Sequence, residues 1–170
     1  IDGSDNFSAM ARRHGLGYEE MRLANPGMDP WLPVDGAVIT LPTRRLLPAS
    51  ARKGIVINVA EYRLYYFDDV ADSSAKVSTF PISIGRQDWL TPVGTSKVVQ
   101  KRKNPTWFPP KSVIAEHAER GDFLATSVPP GPDNPLGEYS LRLSIPGYLI
   151  HGTNRPAGVG MQVTHGCVRM

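Results

Sequence analysis

Apolar residues recur at helical spacing near the front of the chain, where Phe7, Met10 and Ala11 follow Asp5-Asn6 and Gly15 closes the run. After Gly17 the spacing returns at Tyr18, Met21 and Leu23-Ala24, and Asn25-Pro26 ends it, because a residue before proline is pushed out of the helical region. This predicts two short helices. Gly36 to Pro42 then predicts a strand. From Gly54 the pattern becomes that of strands. Ile55-Val59 and Arg63-Phe67 flank Ala60-Glu61-Tyr62 as a hairpin, and Lys76-Gly85 and Gly94-Lys101 are further strands. Residues 104–135 are rich in proline and lack periodicity, apart from a short helix expected over Ser112-Arg120. Leu141-Ile145 and Tyr148-Ile150 then lead directly into His151.

Composition fits this picture. Sixteen glycines and sixteen prolines favour short strands joined by tight turns over a helical bundle. At 170 residues the chain accommodates a small module plus one larger domain. We read residues 1–45 as the module, 46–54 as a linker and 55–170 as the domain, with a mainly β fold. The net charge of +3 is scattered, so no basic run argues for nucleic acid. No stretch approaches the roughly 18 apolar residues of a membrane span. The opening Ile1-Asp2 carries no signal peptide and suggests a processed terminus.

A single cysteine, Cys167, excludes an internal disulfide and leaves a free thiol. It follows Thr164-His165-Gly166, and His151 lies upstream at the end of an apolar strand. A nucleophilic thiol needs a base, an orienter for that base, and donors for the oxyanion. His151 could be the base, and the glycines could turn backbone N–H groups toward a developing charge. Arg169 could hold a substrate carboxylate with its guanidinium fork. Three other readings compete. A lone cysteine is often a small buried hydrophobe, Cys167, His165 and His151 could ligate a metal, and a free thiol could link two copies. Trp31 and Trp89 read as packing residues, and Asn134 as a structural turn residue.

The string Tyr148-Leu149-Ile150-His151-Gly152-Thr153, a glycine-bearing spacer, then Thr164-His165-Gly166-Cys167-Val168-Arg169-Met170 resembles the signature of the L,D-transpeptidase catalytic domain, the YkuD-like family. Ile57-Asn58-Val59, Pro81 to Gly85, Thr91-Pro92-Val93-Gly94 and Asn134 to Gly137 add to the resemblance, which covers residues 54–170. It implies a β-sandwich with a lid, for which 104–135 is the candidate. It also implies that Cys167 is the nucleophile, that His151 is the base oriented by the Gly152 carbonyl, and that His165, Gly166 and Cys167 line the oxyanion hole. Arg169 and Thr164 would contact the donor, and Trp107 and Tyr139 would line the lid. No metal or cofactor is implied. The family continues past its signature with a short helix and a closing strand, so at Met170 either the sequence is truncated or the domain ends unusually early.

The function implied is attack on a peptidoglycan stem tetrapeptide, release of D-alanine, and transfer of the thioester to an amine of a second stem or a lipoprotein lysine. It implies acylation by carbapenems and a place in the bacterial periplasm or cell envelope. A hydrolase of the same bonds and a non-catalytic wall-binding protein are the alternatives. Residues 1–45 resemble a lysin-motif (LysM) module, a glycan binder, through Asp5-Asn6-Phe7-Ser8, Ala11 to Gly15, Asn25-Pro26 and the Gly36-Pro42 segment. The strand that opens that family's pattern would lie before Ile1.

Overall fold

The structure is a computed structural model that describes residues 5–50, 52–68 and 76–170. Residues 1–4 of the expected module, including the Ile1-Asp2 terminus, and Ala51 of the expected linker lie outside the described residues. The chain forms two compact units, one of residues 1–84 with 156–163, the other of residues 85–155 with 164–170.

In the first unit both predicted helices form, α1 (Phe7–Arg13) and α2 (Tyr18–Ala24). Asn6 caps α1 by accepting from the Ala9 N–H at 2.9 Å. Gly15 turns the chain at φ +64°, a conformation glycine adopts without steric cost. Phe7, Met10, Ala11, Leu16, Tyr18 and Met21 form the core between the helices, with Ile39, Leu41 and Met161 packed on it. Trp31, read as a packing residue, stacks on Tyr18 but remains 55% exposed.

The strand expected at Gly36-Pro42 is not formed. Alternation does seat Ile39 and Leu41 on the core, but the ladder partner is a side chain. The Asn25 amide accepts from Thr40 N–H at 2.7 Å and donates to Thr40 C=O at 3.0 Å, imitating a neighbouring strand for one residue. Residues 46–50 and 52–53 carry no regular structure, and the same compact unit continues through them into a sheet.

That sheet is antiparallel, in the order β1 (Gly54–Asn58), β2 (Arg63–Phe67), β3 (Val77–Pro81). Its first hairpin pairs Asn58 with Arg63, and Tyr62 adopts φ +52° to close it. The run expected as one strand over Lys76-Gly85 is interrupted at Ile82-Ser83, both fully buried, before β4 (Ile84–Gly85). There Ile82 N–H donates to the Tyr62 carbonyl at 2.8 Å and the Ser83 hydroxyl to the Gly158 carbonyl at 2.7 Å.

The second unit contains a four-stranded sheet in the order β5-β6-β7-β9, with β5 at Val98–Lys103, β6 at Tyr139–Leu143, β7 at Leu149–His151 and β9 at Val168–Arg169; β8 (Gln162–Thr164) leads into its last segment. β5 starts four residues later than Gly94. The excursion between β5 and β6 contains α3 (Lys111–Glu119) and a bridge in which Trp107 and Val128 exchange backbone hydrogen bonds. Asn134 ties off the excursion. Fully buried, it donates to the carbonyls of Pro105, Val128 and Pro129 and accepts from Leu136 N–H. No described helix is long and apolar enough to cross a membrane.

Candidate active site

The site is assembled on the parallel pair β7 and β9, entirely within the second unit. Ile150 stands level with Val168, and both are almost wholly buried, so they point to the covered face of the sheet. Side chains alternate along a strand. His151, level with Arg169, therefore shares the other face with it. Cys167 lies just before Val168, and the nearby Leu149 N–H favours its thiolate. With strands roughly 4.8 Å apart and a rise of roughly 3.3 Å per residue, the diagonal from position 167 to position 151 is about 8 Å between Cα atoms. Two side chains on one face can span that distance.

The His151 ring is fixed by its own neighbour. His151 Nδ1 lies 2.6 Å from the Gly152 carbonyl oxygen, which can only accept, so Nδ1 carries the proton and Nε2 keeps its lone pair. Burial lowers the imidazole pKa to about 4; the Gly152 bond opposes that shift and the charge of Arg169 adds to it. Gly152 is held in turn by the bond from its N–H to the Tyr139 carbonyl at 3.0 Å.

Cys167 is free and partly exposed. Burial pushes its thiol pKa up, against the pull of the Leu149 N–H. Both shifts favour a neutral thiol and a neutral imidazole over an ion pair. The sulfur's other neighbour is the Gly147 carbonyl, at 3.8 Å.

The turn before the cysteine is tightly built. Thr164 donates its hydroxyl proton to the Cys167 carbonyl at 2.6 Å and accepts from Gly166 N–H at 3.2 Å. Its one donor is spent on the loop and it is 5% exposed, so it is a brace and not the donor contact expected of it. The Gly166 N–H is likewise occupied, which leaves the N–H groups of His165 and Cys167 without a partner among the three residues expected to line an oxyanion hole. Gly166 adopts φ +97°, and a Cβ there would come within 2.8 Å of the Tyr148 ring. His165 turns its Nε2 to the Glu116 carboxylate at 2.8 Å and meets Trp89 edge-on at 5.1 Å between centroids.

Arg169 has no acidic partner among the described residues, and burial followed by the charge of Arg155 lowers its pKa. A half-buried, unpaired guanidinium is a costly arrangement that an incoming anion would relieve. Tyr139 does not join the site. Ser140 is the residue level with His151, so Tyr139 points to the opposite face, where Lys103 Nζ sits 5.6 Å from its ring. Trp107 is bound into the excursion by its bridge to Val128, and none of the bonds that build the site involves it. Among the described residues no three His, Cys, Asp or Glu side chains are grouped as a metal would require.

Sequence reasoning missed three contributors. Thr91 accepts from Gly85 N–H and donates to the Gly166 carbonyl, both at 2.8 Å. Glu116 reaches His165 across 49 positions, a separation that no local pattern signals. The Leu149 N–H is a backbone group and carries no residue signature at all.

The L,D-transpeptidase catalytic domain family, YkuD, matches residues 52–170. The chain is 43% identical to a probable L,D-transpeptidase, YcfS, of Escherichia coli over 169 residues, covering 97% of this chain and 52% of that protein. It is 31% identical to a putative L,D-transpeptidase, YkuD, of Bacillus subtilis, over 100% of this chain and 84% of that protein. The chain thus spans about half the length of the first of these and most of the second. Among solved structures, an L,D-transpeptidase from Mycobacterium smegmatis superposes with a TM-score of 0.50 at 17% identity, over 70% of this chain and 49% of that one, a likeness of fold. On the family match and these relatives together, the chain belongs to the YkuD family of L,D-transpeptidase catalytic domains.

Proposed function

We propose that the chain carries the catalytic machinery of a cysteine-dependent L,D-transpeptidase of the bacterial cell envelope, with peptidoglycan stem tetrapeptides as donors. The observation that carries this reading is the sheet register. It sets Arg169, unpaired, beside a His151 whose Nε2 is unprotonated, and Cys167 two positions back along the same edge.

The chemistry runs in two halves. Cys167 Sγ attacks the carbonyl at the L-centre of the donor's diamino acid while its proton passes to His151 Nε2. Oxygen becomes negative and is met by the Cys167 N–H, which carries no other bond in the turn. The C–N bond to the terminal D-alanine then breaks, and His151 returns the proton to the departing amine. A thioester remains. An acceptor amine, from a second stem or a lipoprotein lysine, repeats the sequence in reverse and restores the thiol. Peptide-bond energy is kept in the thioester, so the exchange needs no nucleotide outside the cytoplasm. Arg169 holds a donor carboxylate, and the 104–135 excursion serves as the lid. The helices of residues 5–24 and their Asn25-braced segment form a LysM-like module that holds the glycan.

Two measurements test this. Intact-mass spectrometry after exposure to a carbapenem should show one ring-opened adduct on the chain and none on Cys167→Ala. Muropeptide analysis of treated sacculi should show new 3→3 dimers or anchored lipoprotein remnants. Shortened monomers alone would mean that water resolves the thioester and the enzyme is a hydrolase. Absence of both adduct and product change, with sacculus binding intact, would mean a wall-binding protein.

A further inference from the structure

The most elaborate polar cluster outside the reacting groups surrounds Glu116, on α3 in the excursion. Its side chain is 15% exposed. Oε2 lies 2.6 Å from Arg86 Nη2 and 2.8 Å from His165 Nε2, and Arg120 pairs with Oε1. Arg86 also reaches Asp88 at 3.0 Å and sits 5.8 Å from the centroid of the Trp89 ring. Trp89 in turn meets His165 edge-on. The His165 ring is thus held by Glu116 at one nitrogen and by an aromatic neighbour beside it. His165 is two residues from the nucleophile, and the residue between them, Gly166, has no side chain with which to anchor itself.

We propose that Glu116 is a positioning residue for the acyl-transfer reaction: by fixing the His165 ring it sets the backbone of the 165–167 turn, and with it the direction of the Cys167 N–H. The inference rests on the function proposed above and extends it from the sheet to the excursion. A carboxylate can only accept, so the bond requires the proton on Nε2. Burial lowers the His165 pKa, and Arg86, His117 and Arg120 push it the same way, while Asp88 opposes them. Arg86 Nη2 donates to the same carboxylate oxygen that faces His165 and so aims it. A turn that offers backbone N–H groups to an oxyanion is sensitive to small rotations, because such a donor acts only when aimed at the developing charge.

The test separates aim from reactivity. Acylation by a carbapenem needs the oxyanion donor, whereas alkylation of the same sulfur by iodoacetamide does not. Glu116→Ala should slow acylation at least about tenfold, and alkylation should change less than about twofold. Glu116→Gln, which keeps an acceptor for Nε2–H, should recover most of the acylation rate. In ¹⁵N spectra the His165 ring should report a protonated Nε2 in the wild type and a tautomer mixture in Glu116→Ala. Equal acylation rates in wild type, Glu116→Ala and Glu116→Gln would overturn the positioning role, as would a parallel loss of acylation and alkylation in the Gln variant. Failure of the wild-type chain to be acylated would sink the acyl-transfer reading itself, a separate result.

Discussion

His151 gives its Nδ1 proton to the carbonyl of the next residue, Gly152, at 2.6 Å. No distant carboxylate is required to choose the tautomer. The choice is made within one peptide unit, at the end of β7, and Gly152 N–H is anchored to the Tyr139 carbonyl. An oriented base costs little here because the orienter is covalently attached to it. A carbonyl, unlike a carboxylate, does not stabilise imidazolium through a full charge. That is why burial and Arg169 succeed in lowering the pKa.

The rate of acylation should therefore stay high well below neutrality. With His151 at about 4, the acid limb of the pH–rate profile should fall near that value and not near the ordinary 6.5. Alkylation by iodoacetamide, which needs free thiolate, should be slow at pH 7 and climb steadily past pH 9, because burial raises the Cys167 pKa. An acid limb at 6.5 or above would contradict this proton inventory.

Stability should follow the same group. A pKa lowered on folding means that the unfolded chain binds the proton first, so stability contributed by neutral His151 is complete above pH 6.5. It declines as pH falls from about 6.5 to about 4 and levels off below. The depressed pKa corresponds to roughly 3 kcal/mol across that window. Urea unfolding curves at pH 7 and pH 4 should differ by about that amount more in the wild type than in His151→Gln.

Arg63 tests the first unit. It is 1% exposed and held by both oxygens of Glu20, at 2.6 and 2.7 Å, with the Gly15 carbonyl and Thr79 Oγ1 completing its bonds. Glu20→Ala leaves that guanidinium buried without a counter-charge and should cost about 3–5 kcal/mol. Arg63→Met in the same background should recover part of the loss. A melting temperature unchanged by Glu20→Ala would show that the pair adds nothing to folding.

Much of this was legible in the chain because local chemistry dictated it. The helices over 7–13 and 18–24 follow from cap and periodicity, and the 55–67 hairpin from two β-branched or aromatic runs around a turn. His151 at a strand end could be read from the apolar run before it. What could not be read was which partner each polar group finds at long range. Asn25 substitutes for a strand beside Thr40, and so a segment with strand-like alternation forms none. Thr164 looks like a substrate contact because it adjoins the nucleophile, yet its hydroxyl is consumed within the turn. Tyr139 looks like a lining residue until the register Ser140↔His151 assigns it to the far face. Each miss concerns direction, and in a strand one position of register reverses direction.

Thr91 offers the clearest test of how the nucleophile turn is supported. Its single hydroxyl accepts from Gly85 N–H and donates to the Gly166 carbonyl, joining the segment after β4 to the residue before Cys167. Gly85 itself has no room for a side chain, since a Cβ there would lie 1.9 Å from the Trp89 carbonyl oxygen. Backbones packed this closely cannot admit water easily, so both bonds depend on Thr91. Thr91→Val keeps the shape and removes the hydroxyl, leaving a donor and an acceptor unpaired, which should cost about 1–3 kcal/mol for each group left buried. The carbonyl of Gly166, released, would let the turn rotate, so acylation should slow together with the fall in stability. Thr91→Ser restores the hydroxyl and should recover the acylation rate, with only the methyl's packing lost. If Thr91→Val acylates as fast as wild type while melting lower, the bridge supports the fold alone and the turn is held by Thr164 and His165 without it.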